Sequence, residues 1–288
     1  MNRRADRRAG RFPAGLGFAL PGLAGFAVFF IIPFGVSLAY AFMDRPAGGS
    51  FAGFSNFAAL FRSRAYLRGL GNTIRFIGIS TPLGLALSLG LALLVRRAGK
   101  QRDWFSLVFL IPLVIPSGSM AFFWKTLFSY DGALNGTLRR LGLEKLNWLD
   151  SDLALPVMIL IYLWKNCGYG MVLFLAGLGN IPGDYYEAAR ADGAAPFRCF
   201  IHVTLPCLLP VTALALTMSV VNSFKIFREI YLVAGAYPHE SIYTLQHFMN
   251  NMFASLNYPR LSSAAAVLVL LSAALTQALL YAERRASA

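Results

Sequence analysis

The chain has 288 residues, of which 57% are hydrophobic and only 14% charged, with 24 phenylalanines and a mean hydropathy of +0.57. Soluble domains carry about 25% charged residues, and a soluble core grows too slowly with length to hide this much apolar surface. A soluble globular fold is therefore excluded. The net charge of +13 points to Lys and Arg held in cytoplasmic loops rather than to nucleic acid, because no basic stretch is long enough to form a soluble domain of its own.

A helix needs about 20 apolar residues to cross a bilayer, and six apolar segments meet that length. The expected fold is all-α, a polytopic membrane protein with six transmembrane helices. Helix 1 covers about Leu16–Phe42, with a kink at Pro33, where the ring removes a backbone donor. Helix 2 covers about Gly71–Val95. Helix 3 covers about Trp104–Phe128 and is interrupted by Pro112 and Pro116. Helices 4, 5 and 6 cover about Leu155–Gly177, Leu208–Ala234 and Leu261–Ala282. Ala39-Tyr40-Ala41 resembles a signal-peptidase site, but the apolar run before it exceeds the ~7–15 residues of a signal peptide, so helix 1 is read as retained. Residues 1–15 form a basic head, 16–282 the membrane domain and 283–288 a short tail.

Orientation follows from the loop charges, because Lys and Arg accumulate on the cytoplasmic side. With the N-terminus inside, the cytoplasmic segments hold Arg3, Arg4, Arg7, Arg8, Arg11, Arg96, Arg97, Lys100, Arg102, Arg190, Arg198, Arg284 and Arg285. The external loops hold Arg45, Arg62, Arg64, Arg68, Arg139, Arg140, Lys145 and Arg260. Both termini are expected in the cytoplasm.

Charges inside membrane helices are costly and face the bundle interior. Met218, Asn222, Lys225 and Glu229 recur at helical spacing on helix 5, so they read as one polar stripe, with Lys225 and Glu229 placed to pair four residues apart. Trp164, Lys165, Asn166 and Tyr169 lie on helix 4, and Trp124 and Lys125 on helix 3. Aromatic faces beside hydrogen-bonding groups suit a sugar, so Asn222, Lys225, Glu229, Trp164 and Trp124 are the candidate substrate pathway. Each also has a plainer role: Trp124 and Lys125 as interface anchors, Lys225 and Glu229 as a structural pair. The cysteines, Cys167, Cys199 and Cys207, form no CxxC and no zinc spacing. His202, His239 and His247 have neither metal spacing nor a nucleophile partner. No catalytic residue and no metal site is assigned. No GxxxxGK[ST] phosphate loop occurs, so any ATPase must be a separate chain.

The longest cytoplasmic loop, about 178–206, carries helix signals of its own. Asp184 suits an N-cap, with Glu187 three residues on as its capping-box partner. Tyr185 to Ala191 then form a short alanine-rich helix, and Gly193 can take the left-handed conformation that ends it. Composition alone allows an amphipathic connector on the membrane surface. Ala188 and Ala189 leave one face low in relief, suited to a groove on another protein.

Glu187-Ala188-Ala189, three residues, Gly193, nine residues, then Val203-x-Leu205-Pro206 resembles the EAA loop of binding-protein-dependent ABC importer permeases, with Val where that pattern has Ile. The loop residues carrying the likeness are Asp184, Glu187, Ala188, Ala189, Asp192, Gly193, Leu205 and Pro206. Tyr185–Ala194, Asn222-Ser223-Phe224-Lys225-Ile226-Phe227 with Ile230-Tyr231, and Ala176-Gly177-Leu178 with Ile181-Pro182 resemble the sugar and polyol subgroup. The likeness is closest to the first of the two maltose or glycerol-3-phosphate permeases. Ala234-Gly235-Ala236-Tyr237-Pro238 departs from the family's Gly-rich turn, so that turn is expected to meet its binding protein differently.

The resemblance implies a type I importer fold in a bacterial inner membrane and a non-catalytic subunit. It implies coupling helices docked on a dimer of cytoplasmic ATP-binding subunits, which hold the ATP and Mg, and an external solute-binding protein that delivers a carbohydrate. It also implies a second, homologous permease, usually a different chain, although a homodimer stays open. The rival classes are a self-contained secondary transporter, whose internal repeats and broken helices are not detected here, and a membrane enzyme, whose cluster of reactive side chains is missing.

Overall fold

The computed structural model describes residues 14–287 apart from residue 47. The basic head with Arg3 to Arg11 lies outside the described residues. The described residues fold into helices and turns without a strand, apart from one isolated bridge between Met43 and Phe51.

The first crossing is α1 (Ala14–Phe26), a π-helical turn (Ala27–Ile31) and α2 (Ile32–Tyr40). Pro33 cannot donate to Phe29. The chain answers with a wide turn in which the Ile32 N–H reaches the Ala27 carbonyl, so the proline is absorbed as a π-bulge, a common cause of helix bending. After α3 (Ser55–Arg62) comes α4 (Arg64–Arg96). It starts seven residues before the apolar pattern does, because the Ser63 hydroxyl accepts from the Tyr66 N–H at 3.4 Å. Its first turns, with Arg64 and Arg68, are helix rather than the loop expected.

The third crossing is broken. α5 (Arg102–Val114) and α6 (Ser117–Phe128) meet at Ile115-Pro116, and the chain bends by 89° there. Pro112 stays inside α5. The short α7 (Ala133–Arg140) leads to α8 (Ala154–Gly179), the most buried helix. α9 (Gly183–Ala191), α10 (Pro196–Cys199), a π-turn (Phe200–Thr204) and α11 (Leu205–Cys207) form the next connection. The fifth crossing was expected as one helix. It is α12 (Leu209–Phe224) and α13 (Ile226–Ala234), with Lys225 at the joint. α14 (Leu245–Ala254) precedes α15 (Tyr258–Ser287), which runs past Ala282; residue 288 lies outside the described residues. Among the described residues five helices are long and apolar enough to cross a membrane, or six with the bent pair as one.

α8 is the central post. Ala154 to Tyr162 on its first half pack with Trp124, Phe128 and Ile230; Met171 to Leu178 on its second half pack with Ala92, Val95, Leu208 and Ala215. A Cβ on Gly168 would collide with the carbonyl of Phe109, so α5 rides directly on the α8 backbone there. Ser88 on α4 donates to the Cys167 carbonyl at 3.0 Å.

At one end of the bundle, the turns between crossings are tied by side chains. Asn72 donates to the carbonyls of Glu240 (2.6 Å) and Tyr243 (2.9 Å), Thr73 accepts from the Leu245 N–H at 3.0 Å, and Arg68 pairs with Glu240 at 2.8 Å. Asn135 bonds the Tyr130 and Leu146 carbonyls, the Leu146 N–H and the Trp148 indole. α14 begins with a capping box in which Nδ1 of the buried His247 accepts from the Thr244 N–H. Its Nε2 has no partner among the described residues. Burial pulls the imidazole pKa down to about 4 from 6.5, so the folded chain keeps it neutral while an unfolded chain takes the proton first. The stability this contributes is complete above pH 6.5 and is lost as pH falls toward 4, about 3 kcal/mol in all at 1.36 kcal/mol per unit. The thermal midpoint of the purified protein should drop across that window, and His247→Gln should flatten the drop.

Candidate functional site

The residues singled out from the sequence fall in two regions, one at the end of the bundle opposite the tied turns and one inside it. At the first, α9 stands on a fixed base. Pro182 fixes its own φ near −58° and ends the preceding extended turn, so the helix starts at Gly183. Asp184 is thus inside the first turn and caps nothing; the capping box expected between Asp184 and Glu187 is not formed. An acid one residue inside the start still suits the positive end of the helix dipole. The C-terminus matches expectation. Gly193 takes φ +78°, its N–H donates to the Arg190 carbonyl at 3.0 Å, and the Ala194 N–H reaches back to Ala189 at 2.9 Å. Those two bonds are the Schellman pair.

One face of α9 is held and the other is free. The Tyr186 hydroxyl lies 3.0 Å from that of Thr204, and the Arg96 guanidinium sits over its ring at 5.6 Å. Asp184, Tyr185, Glu187, Ala188 and Asp192 are exposed. Leu205 and Pro206 do not join this face; they open α11, which turns the chain into α12.

The second region is a cavity of about 120 Å³ between α5, α8, α12 and α13. Its polar lining is Tyr162, Lys165, Asn166, Asn222, Lys225, Arg228 and Glu229. The pair expected between Lys225 and Glu229 is absent, because the joint at Lys225 breaks the helical spacing between them. Glu229 instead pairs with Lys165 of α8 at 2.5 Å, with side chains 11% and 20% exposed. Ser117, the first residue of α6, accepts from Lys165 at 2.8 Å and donates to Glu229 at 2.9 Å. Lys225 turns back and donates to Asn222 at 2.9 Å. The stripe is therefore split: Glu229 is buried, while Met218 and Lys225 are exposed. Trp124 and Trp164 do not line the cavity. They pack edge to face at 5.3 Å in the apolar cluster beside it. A smaller space of about 30 Å³, with room for about two waters, shares Tyr162, Asn166 and Asn222 and extends the polar track toward Ser88 and Ser219.

The family profile of binding-protein-dependent transport system inner membrane components matches residues 80–287. This chain belongs to that family. Among curated relatives, the permease is 33% identical to the sn-glycerol-3-phosphate transport system permease protein UgpA of Yersinia enterocolitica, over 89% of each chain. It is 31% identical to the probable ABC transporter permease protein YesP of Bacillus subtilis, over 88% of this chain and 84% of that one. The sulfoquinovosyl glycerol permease SmoG of Agrobacterium fabrum is 32% identical over 78% and 74%. The fold matches a permease-type chain in a bacterial ABC transporter that imports alginate, with a TM-score of 0.82 at 22% identity over 94% of this chain and 95% of that one. That confirms the type I importer fold expected from the sequence.

The permease is thus an inner-membrane transport subunit, and both regions acquire a setting. Tyr162 and Arg228 line the cavity, and Ser117 bonds its ion pair, without having been singled out from the sequence; Lys165 and Asn166 were noted on helix 4 but left out of the candidate pathway. Ser117 and Glu229 sit on different crossings, and no linear spacing signals that; Arg228 could have been flagged as a charge within an apolar run. Breaking a buried pair by removing one partner costs about 3–5 kcal/mol, whereas replacing both with apolar groups can be neutral. Lys165→Met alone should lower the thermal midpoint of the purified permease sharply, and the double variant Lys165→Met/Glu229→Leu should recover most of it. Equal melting of single and double variants would show that the pair is not coupled.

Proposed function

We propose that this chain is the carbohydrate-translocating permease of an ATP-driven importer, with a cytoplasmic ATPase dimer engaging α9 and an external solute-binding protein loading the cavity. The observation that carries the reading is the geometry of α9: a helix fastened at Tyr186, closed by Gly193, and offering Asp184, Glu187 and Ala188 outward. Glu187, Ala188, Ala189 and Gly193 fall on the EAA spacing. On this reading ATP and Mg belong to the partner subunits, and the permease does no chemistry.

Placing α9 in the cytoplasm puts Arg96, Arg97, Arg190 and Arg198 on the same side, as the distribution of basic residues in membrane proteins favours. Both termini are then cytoplasmic, and the tied turns around Asn72 and Asn135 face outward, toward the binding protein. A second permease is supported by two features. The cavity, at about 120 Å³, falls short of the roughly 300–1,000 Å³ of small-molecule sites, so one chain encloses only part of a pathway. The first crossing, Phe18–Tyr40, has no buried residue in its apolar window and is free to cover another subunit or meet lipid. The named cargoes of UgpA and SmoG, and an alginate importer seen in complex with its periplasmic protein, support a carbohydrate or polyol.

Co-expression with the neighbouring genes and gentle purification should recover an ATPase and a second permease. Gly193→Ala should cost about 1–2 kcal/mol in the helix terminus, and Glu187→Ala should weaken retention of the ATPase while the permease stays folded. A transport-competent protein that carries no ATPase would end this reading in favour of a secondary transporter.

A further inference from the structure

The cavity holds more positive charge than its own residues cancel. Lys165 and Glu229 neutralise one another. Lys225 and Arg228 line the same cavity, are exposed, and have no carboxylate within ion-pair distance among the described residues. At 1.5 Å per residue, Lys225 lies about 13 Å from the Ala234 end of the crossing, well within hydrocarbon depth, and Arg228 about one turn nearer that end. A helix joint falls at Lys225, where α12 ends and α13 begins. Glu229, the acid in the first turn of α13, is engaged by Lys165 and by Ser117 of α6, so it does not offset Lys225 or Arg228. Asn222 and Asn166 add uncharged donors and acceptors beside the cations.

We propose that Lys225 and Arg228 form an anion subsite in the pathway, and that the carbohydrate carried bears a carboxylate, sulfonate or phosphate. This rests on the carbohydrate reading above and narrows it. Lys225 is oriented by Asn222 and acts as a point charge, whereas the planar guanidinium of Arg228 can grip two oxygens of one acid group. In a medium of low dielectric the pair rejects cationic solutes, and it leaves a neutral sugar with nothing to satisfy the charges, so discrimination comes from both attraction and cost.

Two measurements test this. In the first, the assembled importer with its native cysteines replaced by serine carries Asn166→Cys, and its modification rates by anionic and cationic methanethiosulfonates of similar size are compared in proteoliposomes. Relative to free thiol, the anionic reagent should be favoured at least tenfold, and Lys225→Gln/Arg228→Gln should abolish the preference. A ratio near one overturns the proposal, and would mean that carboxylates of a second subunit already neutralise the cations. In the second, ATP-dependent uptake by the whole importer is measured for matched probes: digalacturonate against digalactose, and glycerol 3-phosphate against glycerol. Uptake of the charged members, lowered at least tenfold in Lys225→Gln/Arg228→Gln and partly restored in Lys225→Arg/Arg228→Lys, is the expected result. Uptake of the neutral members only would overturn the anion subsite and leave the carbohydrate reading standing. A strong anion preference at residue 166 with uptake of none of these probes would keep the subsite and count against the carbohydrate reading.

Discussion

The contact on which the interior of this permease depends is the ion pair of Lys165 and Glu229, with Ser117 lodged between them. Lipid offers no water to an exposed peptide group, so a membrane helix can break only where protein or a water-filled space satisfies the freed ends. Two crossings break here, one at Ile115-Pro116 and one at Lys225. Both breaks face the same side of α8. The first residue after one break and the acid one turn after the other converge on the same lysine. An unpaired charge at the centre of a membrane helix costs about 2.5–3.5 kcal/mol on insertion scales. The pair removes that cost for two residues at once and pins both broken segments to the most buried helix.

The two ends of the bundle are held by different means. At the end with α14, asparagines do much of the work: Asn56, Asn72, Asn135 and Asn251 each bond to two or more groups from other turns. An amide side chain both donates and accepts, so it can stand in for a peptide group where the chain turns. Only the Arg68–Glu240 pair adds charge to the ties described there. At the end with α9 the fastening is lighter. A hydroxyl pair at Tyr186 and a guanidinium over its ring hold a helix whose other face stays open. Segments with few buried contacts are the less tightly held part of a fold.

The fold was largely legible in the sequence because its solvent imposes a coarse rule. Long apolar runs with charged joints leave few alternatives to six crossings, and the Gly193 stop followed from one residue's freedom at positive φ. What the sequence concealed was local or long-range. The start of α4 depends on a serine hydroxyl, not on hydropathy. The cap expected of Asp184 failed because Pro182 set the helix start two residues earlier. The pairing expected of Lys225 and Glu229 assumed an unbroken helix, and the joint between them sent each to another partner. The tryptophans were read as pathway walls from their chemistry alone, whereas edge-to-face packing against one another satisfied them inside the apolar cluster. Every one of these errors came from treating a segment as if its neighbours did not compete for it.

The joint at Lys225 also divides the fifth crossing mechanically. Before it, α12 is bound to the α4–α8 core through Ala215 and through Tyr162, whose hydroxyl donates to the Ser219 carbonyl at 2.8 Å. After it, α13 is bound to α8 and α6 through Glu229 and Ile230. α9 packs against the first of these units, since Tyr186 rests on the cluster of Val95, Phe174 and Leu208. Tightly packed cores shift as bodies rather than deform, so a displacement delivered to α9 reaches α4, the second half of α8 and α12 together. The cavity lies where that unit meets α13. A movement of a few ångströms there changes the spacing between Asn222 on one side and Arg228 on the other, with Lys225 at the hinge. The charges that line the cavity are thereby placed at the boundary whose geometry a displacement of α9 alters.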